Sequence, residues 1–398
     1  MIFVQLEHNH SMILENFHRF MSEERTIPIE VQERILLLRR AGCEVPIIRA
    51  ILKEEFSDIV TWIYNDLYNF IYQKEGTLEK REFDANDFIK ELEYLKSQNE
   101  EFCYEVLIDS ETNELQQAIW MFPEQKMNYC RFYDVVVFDN TYKTNRFGMP
   151  FGIFTGVNNY GQSVCFAGVI MCNETTESFL WTFANFLKMV NNFSPKVFLT
   201  DEDQAIIKAV NHIFLPLGTK HALCLWHLLK NVVKNLNGVL GFKWSEFIKT
   251  FYKCLDEYDE NEFLEKWKQL KIMFPLSSKY LTKMDNNLTR WAPCYNRQLF
   301  MADMTTTQRG ESMNSLMKGY MDATTSLTVF LKAFESALEQ RKEDAEFTKF
   351  CEDNKTISLC TTSPYEKQAS ELLTKYALVK TQKQLLQCMS YKCEKIIR

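Results

Sequence analysis

The hydrophobic pattern changes character along the chain, and each change marks an element. Ile29, Val31, Ile35, Leu36 and Leu38 recur near helical spacing, followed by a turn at Ala41-Gly42. A second helix starts at Val45 and runs past Leu52, with Pro46 acceptable in its first turn. A third apolar stretch, from Ile59 to Tyr64, leads into Leu67, Tyr68, Phe70 and Ile71. Three short helices with a glycine turn fit a helix-turn-helix, and equally a helical hairpin capping the next domain. The segment is not notably basic, which weighs against the DNA-reading alternative. Residues 74–98 are rich in Glu, Lys and Asp and predict a linker and a helix striped by Phe88, Ile89, Leu92 and Leu95. Strands are predicted over 102–108, where apolar and other residues alternate, and over 116–122, with a turn at 111–114.

From 134 the pattern becomes α/β. Val135 to Phe138 is a short all-apolar run, the mark of a strand buried on both faces. A second strand is predicted over 151–157, a hairpin turn at 158–161 and a third strand over 163–171. A helical stripe (Phe179, Leu180, Phe183, Phe186, Leu187, Val190) fills 177–190. A fourth strand ends at Asp201, a helix spans 204–214, a fifth strand covers 221–224, and a helix covers 225–236. Three strands in meander, then helix, strand, helix, strand, helix, is the order of a ribonuclease-H-like fold. Residues 238–305 interrupt it with helical, aromatic sequence (Phe242, Trp244, Phe247, Phe251, Tyr252, Trp267). A polar loop from Thr305 then opens a helix through Tyr320, and further helices are predicted over 330–350 and 365–387.

The resulting organisation has seven parts: a short N-terminal piece (1–12), a small helical region (13–80), and a linker helix with a strand pair (81–128). The first part of the core (129–237), a helical insertion (238–305), the end of the core (306–325) and a C-terminal helical region (326–398) complete it. The fold class is α/β with large helical content, the core interrupted by an all-helical insertion and flanked by helical segments.

Composition narrows the function less than the pattern does. At 398 residues and 46% hydrophobic, the chain can bury at least one full core. Phe and Tyr are abundant, at 31 and 17, while Gly and Pro are scarce, so helix-rich packing with few long linkers is expected. No window is apolar for long enough to span a bilayer, and the N-terminus lacks a signal-peptide layout, so an intracellular chain with no membrane partner is expected. The twelve cysteines are dispersed without a CxxC pair, which suits reduced, buried thiols rather than a disulfide framework or an ordinary zinc finger. A net charge of −7 argues against a surface that coats nucleic acid, but leaves room for a local basic groove.

The candidate chemistry lies at the strand ends. Asp139 follows Val-Val-Val-Phe and Asp201 follows Val-Phe-Leu-Thr, in the first and fourth strands, which are neighbours in the inferred order. Either alone is an ordinary turn former. Together they can hold two divalent metals about 3.5–4 Å apart, which activate a water or 3′-hydroxyl and stabilise the departing oxygen. Glu311, at a polar loop-to-helix junction beside Arg309 and Ser312, is the best third acid; Glu265 and Asp203 are rivals. Glu311 also fits as a helix N-terminal acid favoured by the macrodipole. Cys224 and His227, with His221 three residues before Cys224, form a compact group. A zinc role and a positional role beside DNA or the acids both stay open, since zinc wants four ligands. A cysteine-nucleophile reading lacks a third member and an oxyanion loop. Lys143, Arg146 and Arg309 are candidate DNA contacts. Phosphate-cradling glycine motifs are absent, which removes kinase and dehydrogenase readings.

With those residues in hand, the chain resembles the Mutator-like element (MULE) transposases, and within them the far-red-impaired-response (FAR-related) branch. The resemblance rests on FDNTYKTNRFGMPF, NETTESFLWTF, FLTDEDQAIIKAV, CLWHLLKN and TTTQRGESMNSLMKGY in that order, strongly over 130–320 and more weakly to Cys393. It implies a ribonuclease-H-like DDE core with an acid triad at Asp139, Asp201 and Glu311 holding Mg²⁺ or Mn²⁺. It also matches Cys224 and His227 to the family's Cys-x-x-His element; Zn²⁺ there stays one of the two open roles. The implied activity is metal-dependent DNA cleavage and strand transfer at transposon ends; the alternative is a domesticated, catalytically inactive DNA-binding transcription regulator. The implied partners are double-stranded DNA, as terminal inverted repeats or promoter elements, and a second copy of the chain, in the nucleus. His8-Asn9-His10 is similar to the end of the family's N-terminal zinc-binding domain, which makes 1–12 a remnant of it. No SWIM-type Cys/His motif follows the C-terminal helices, so the expectation is a core lacking both zinc modules.

Overall fold

The computed structural model describes residues 26–40, 43, 45–56, 66–71, 84–141, 144–302, 304, 308–354 and 357–388, in two compact units divided between Phe83 and Asp84. The first unit contains α1 (Ile29–Arg40), α2 (Val45–Glu55) and α3 (described over 66–71). Val31, Ile35 and Leu38 of α1 and Val45, Ile48 and Leu52 of α2 are buried. The Arg34 guanidinium donates to Glu55 across the pair at 2.8 Å. The Ala41-Gly42 turn and the apolar stretch before α3 lie outside the described residues.

The second unit is built on one mixed sheet. It begins with α4 (Asp84–Gln98), β1 (Cys103–Ile108), β2 (Leu115–Met121) and α5 (Pro123–Phe132). The meander β3 (Val135–Thr141), β4 (Phe151–Val157) and β5 (Ser163–Met171) follows. Then come α6 (Thr176–Met189), β6 (Val197–Thr200), α7 (Gln204–Ile213), β7 (Lys220–Leu223) and α8 (Leu225–Leu240). The strands lie in the order β1-β2-β5-β4-β3-β6-β7, with β3 antiparallel to β4 and parallel to β6. The meander beside two parallel strands, with helices between, is a ribonuclease-H-like core. β1 and β2 extend it antiparallel to β5.

Strand alternation assigns the two faces. Val136, Phe138, Phe154 and Phe198 point to one, where they pack on Phe183 and Phe186 of α6 and Val210 of α7. Phe154 stacks on Phe186 with centroids 4.0 Å apart. The other face carries Trp120, Phe151 and Ile153 against Phe88 of α4, and Val135, Val137, Val197 and Leu199 against Met304. The covering helices there are α14 (Gln308–Met317) and α15 (Leu327–Asn354), through Met313, Met317, Phe330 and Phe334.

Between α8 and α14 the chain is helical: α9 (Trp244–Leu255), α10 (Glu260–Met273), α11 (Pro275–Asp285), α12 (Leu288–Trp291) and α13 (Pro293–Asn296). These helices pack with α8 around Phe247, Phe251, Trp267, Phe274 and Trp291. Among the described residues no helix is long and apolar enough to cross a membrane.

Two elements differ from expectation. The helix α5 was not expected, because only Gln125 and Tyr129 of it are buried and no apolar stripe marks it. It starts instead by local chemistry, with Pro123 in its first turn and Gln125 Oε1 accepting the Phe122 N–H at 2.8 Å. The helix expected over 365–387 is two, α16 (Pro364–Leu372) and α17 (Lys375–Cys388). Leu373 is extended, and the Thr374 hydroxyl starts the second helix by accepting the Ala377 N–H at 3.3 Å.

Candidate active site

The register of the two parallel strands places the first two acids. Val135 pairs with Val197 and Val137 with Leu199, and the same 62-residue offset puts Asp139 level with Asp201, one residue past β6. Each acid is two residues beyond a side chain on the α14 face, so alternation aims both toward that face. Helix α14 approaches β3 closely because residue 310 is glycine. A Cβ there would stand 2.8 Å from the Asp139 Cβ, closer than unbonded carbons pack. That approach sets Glu311 beside Asp139. One turn on, Asn314 donates its Nδ2 to Asp139 Oδ2 at 2.8 Å.

The fourth group comes from α8. Buried Cys224 is its N-cap, with Sγ accepting the His227 N–H at 3.5 Å. This presents His227 in the first turn, with Nε2 3.8 Å from Glu311 Oε1. Asp139, Asp201, Glu311 and His227 are all partly buried.

These groups lie close enough to shift one another's titration. Burial pushes the Asp139 carboxyl up to about 7; the Asp201 and Glu311 carboxylates add to this, while His227 and Asn314 oppose it. Asp201 is also raised, first by burial and then by Asp203, against the Asp203 N–H and His227. Burial works against protonation of His227, yet Cys224, Asp139 and Asp201 outweigh it and raise its pKa. Glu174, on the loop before α6, is raised by burial and by Asp203 and Asp201, although the Asn140 amide donates to it at 2.8 Å.

An oxygen-rich donor set of this kind suits a hard divalent cation. Asn314 Oδ1 beside it is buried without a hydrogen-bond partner, a further neutral oxygen donor. The residues therefore fit Mg²⁺ or Mn²⁺ in chemical type. As the side chains stand, no three His, Cys, Asp or Glu among the described residues close on one metal position.

The other sequence candidates separate. Asp203 is the N-cap of α7, its Oδ1 accepting from Ala205 and Ile206 at 2.7 and 3.0 Å. Glu265 lies on the exposed face of α10, where Gln269 donates to it at 3.4 Å. Arg146 pairs with Asp84 at 3.3 Å, which commits its guanidinium to the fold. Arg309 is half-buried in the first turn of α14, and Lys143 lies outside the described residues. His221 does not join His227: its Nε2 meets the Thr200 hydroxyl at 2.9 Å, and burial first, with Arg290 nearby, lowers its pKa to about 3. Gly310, Asn314 and Glu174 were given no role by sequence reasoning. They sit inside GESMN and NETTES, strings that carried the resemblance but show no pairing until β3, α14 and the loop before α6 meet.

The chain is similar to known proteins. Residues 135–231 match the family described as MULE transposase domain. Protein FAR1-RELATED SEQUENCE 5 of Arabidopsis thaliana is 31% identical over 391 residues, 98% of this chain and 49% of that protein. Protein FAR-RED IMPAIRED RESPONSE 1 of the same plant is 29% identical over 311 residues, 78% of this chain and 37% of its own length. The chain thus spans 37% to 49% of the length of these two curated relatives. Among solved structures, the catalytic core domain of BIV integrase aligns with 29% of this chain and 73% of its own, at 10% identity and a TM-score of 0.17. The strand order, rather than that superposition, is the basis of the fold assignment. Residues 135–231 are a MULE transposase domain, in a chain whose homologues over nearly its whole length are FAR1-related proteins.

Proposed function

We propose that this chain is a nuclear DNA-binding regulator of the FAR-related kind, built on a transposase core. The observation that carries this is the span of the similarity. It runs through core, helical insertion and C-terminal helices alike, with relatives of which one is named for an impaired far-red response. Double-stranded promoter DNA is the partner in this reading, held by local basic surface on a chain of net charge −7. A second copy of the chain fits a two-ended DNA site.

A second reading, metal-dependent cleavage and transfer of DNA strands, is favoured by one specific observation. Asp139 and Asp201 are level on adjacent strands, with Glu311 and His227 facing them. Asp139, Asp201 and Glu311 would hold Mg²⁺ or Mn²⁺, which when bound supplies an activated oxygen nucleophile and stabilisation of the departing oxygen. Asn314 holds Asp139 in place, and His227 sets a positive charge beside Glu311 when protonated. Zinc at Cys224 and His227 is a weaker proposal, because the Cys224 sulfur already caps α8.

One experiment separates the readings. Full-length chain is incubated with terminal-repeat and promoter duplexes in Mg²⁺ or Mn²⁺, and both nicking and retention of the duplex are measured for wild type and Asp201→Asn. The regulator reading expects retention by both proteins and no nicking by either. Nicking by wild type that Asp201→Asn loses would establish the cleavage reading instead. Retention of neither duplex sinks the regulator reading.

A further inference from the structure

We propose that the outer stripe of α8 is a track for a nucleic-acid strand, with Trp226 as a stacking platform for an unpaired base beside the acid centre. Trp226, Lys230, Val233, Lys234 and Asn237 are exposed while Leu228, Val232, Leu236 and Leu240 face the helical core. The exposed residues follow helical spacing and form one face. Trp226 is 42% exposed and shares this face with Lys230 and Lys234.

Its neighbours identify the occupant. The Trp226 ring meets His227 edge-on with centroids 4.7 Å apart, which joins the stripe directly to the group facing Glu311. The Lys230 ammonium stands 4.8 Å from the Trp226 centroid. Lys234 lies four residues further, about 6 Å along the axis at about 1.5 Å per residue. No Asp or Glu occurs from 204 to 245, although the chain carries 53 acids and a net charge of −7. An aromatic face, two cations and no competing acid along one helix match the recognition of a single strand, whose bases stack while its phosphates meet lysine. A base on Trp226 takes the place of the Lys230 ammonium and frees it for a phosphate. The site accepts any base, since stacking does not read hydrogen-bonding edges.

This inference rests on the DNA-binding reading, and its test keeps the two apart. The full-length protein is titrated, with Ca²⁺ in place of Mg²⁺ so that binding is read without cleavage. The probes are a blunt duplex and the same duplex with a short single-stranded overhang carrying 2-aminopurine at its first unpaired position. Wild type is expected to quench the 2-aminopurine and to bind the overhang more tightly than the blunt end. Trp226→Ala and Trp226→Leu are each expected to lose about tenfold in overhang affinity with blunt-duplex binding unchanged, and Trp226→Phe to recover most of it. Lys230→Ala and Lys234→Ala should each weaken the overhang probe more than the blunt duplex and reduce the salt-dependence slope on the overhang probe by about one. Leucine keeps apolar bulk without a π face, so it separates stacking from folding. Equal affinity in wild type and both variants, or equal loss on both probes, overturns the stacking platform. Failure to bind either probe overturns it together with the DNA-binding reading; binding without overhang preference overturns it alone.

Discussion

Carboxylates are buried in two different ways in the second unit. Asp84, 1% exposed at the start of α4, accepts from the Leu327 and Thr328 N–H groups at 2.7 and 3.3 Å and from the Thr328 hydroxyl at 3.0 Å, with Arg146 at 3.3 Å. It caps α15 from another helix. Glu366 is equally enclosed, accepting from the Cys360 and Thr361 N–H groups and from Gln382, each at 2.7 Å, and from the Thr361 hydroxyl. Those bonds, the Thr361 hydroxyl foremost, hold its pKa down to about 2. At the acid centre, Asp139 has His227 and the Asn314 amide on one side and Asp201 and Glu311 on the other, and burial drives its pKa up. Each structural acid is met by several donors, and for Glu366 these favour the charged form. The centre is short of positive charge, a condition suited to a ligand rather than to stability.

The largest expected effect breaks the structural half of that comparison. Asp84→Ala leaves two N–H groups at the start of α15 without their acceptor and Arg146 without its partner. A loss of about 3 kcal/mol in unfolding free energy is expected, read from urea denaturation. A loss below about 1 kcal/mol would mean that water replaces the carboxylate, and Asp84 would no longer stand for a satisfied buried acid.

The next prediction probes how the centre is assembled. Alanine is worth about 1 kcal/mol more than glycine in a helix interior, so Gly310→Ala would stabilise an unconstrained α14. Here the added Cβ meets the Asp139 Cβ at 2.8 Å, and that carbon is tethered to the β3 backbone. Overpacking of this kind costs about 1–3 kcal/mol, so the net expectation is a small loss, roughly 1 kcal/mol. A gain in melting temperature would show that α14 stands further from β3 than the geometry requires.

Much of this was legible in the sequence, for a physical reason that also explains the gaps. Strands β3 to β7 and their helices announce themselves because both sheet faces are covered, which forces near-continuous apolar runs such as Val135 to Phe138. The adjacency of Asp139 and Asp201 followed from strand order, since parallel pairing in this fold admits few arrangements. Helix α5 carries no apolar stripe and was missed; its start is set by Pro123 and Gln125. The ion pair of Arg146 was not legible, because a basic residue near an acid motif carries no sign of its partner. That partner, Asp84, is 62 residues earlier and visible only once α4 packs beside the sheet. Gly310 and Asn314 were hidden likewise, since close approach is a property of two elements.

The smallest effect sharpens the comparison most, because its sign opposes that of the structural acids. An ordinary aspartate in the unfolded chain titrates near about 3.9. Asp139, at about 7 in the fold, favours the neutral form, so its contribution to stability is full below about pH 4 and is lost as pH rises through about 7. Asparagine imitates the neutral carboxyl. Asp139→Asn should therefore match wild type near pH 4 and exceed it by roughly 1 kcal/mol at pH 8, a value kept small because the group is partly exposed. For Glu366 the sign reverses. Its folded pKa lies below the unfolded one, so its contribution is present above about pH 4.3 and is lost as pH falls through about 2. Glu366→Gln should then destabilise at pH 7 and converge on wild type in acid. Thermal melts of both variants from pH 3 to 8 read the two signs together. Adding Mn²⁺ at pH 8 should narrow the Asp139→Asn advantage by stabilising wild type, because a bound cation offsets the repulsion among Asp139, Asp201 and Glu311. An Asp139→Asn variant less stable than wild type at pH 8 without metal would place Asp139 with the structural acids and remove the electrostatic distinction between the two regions.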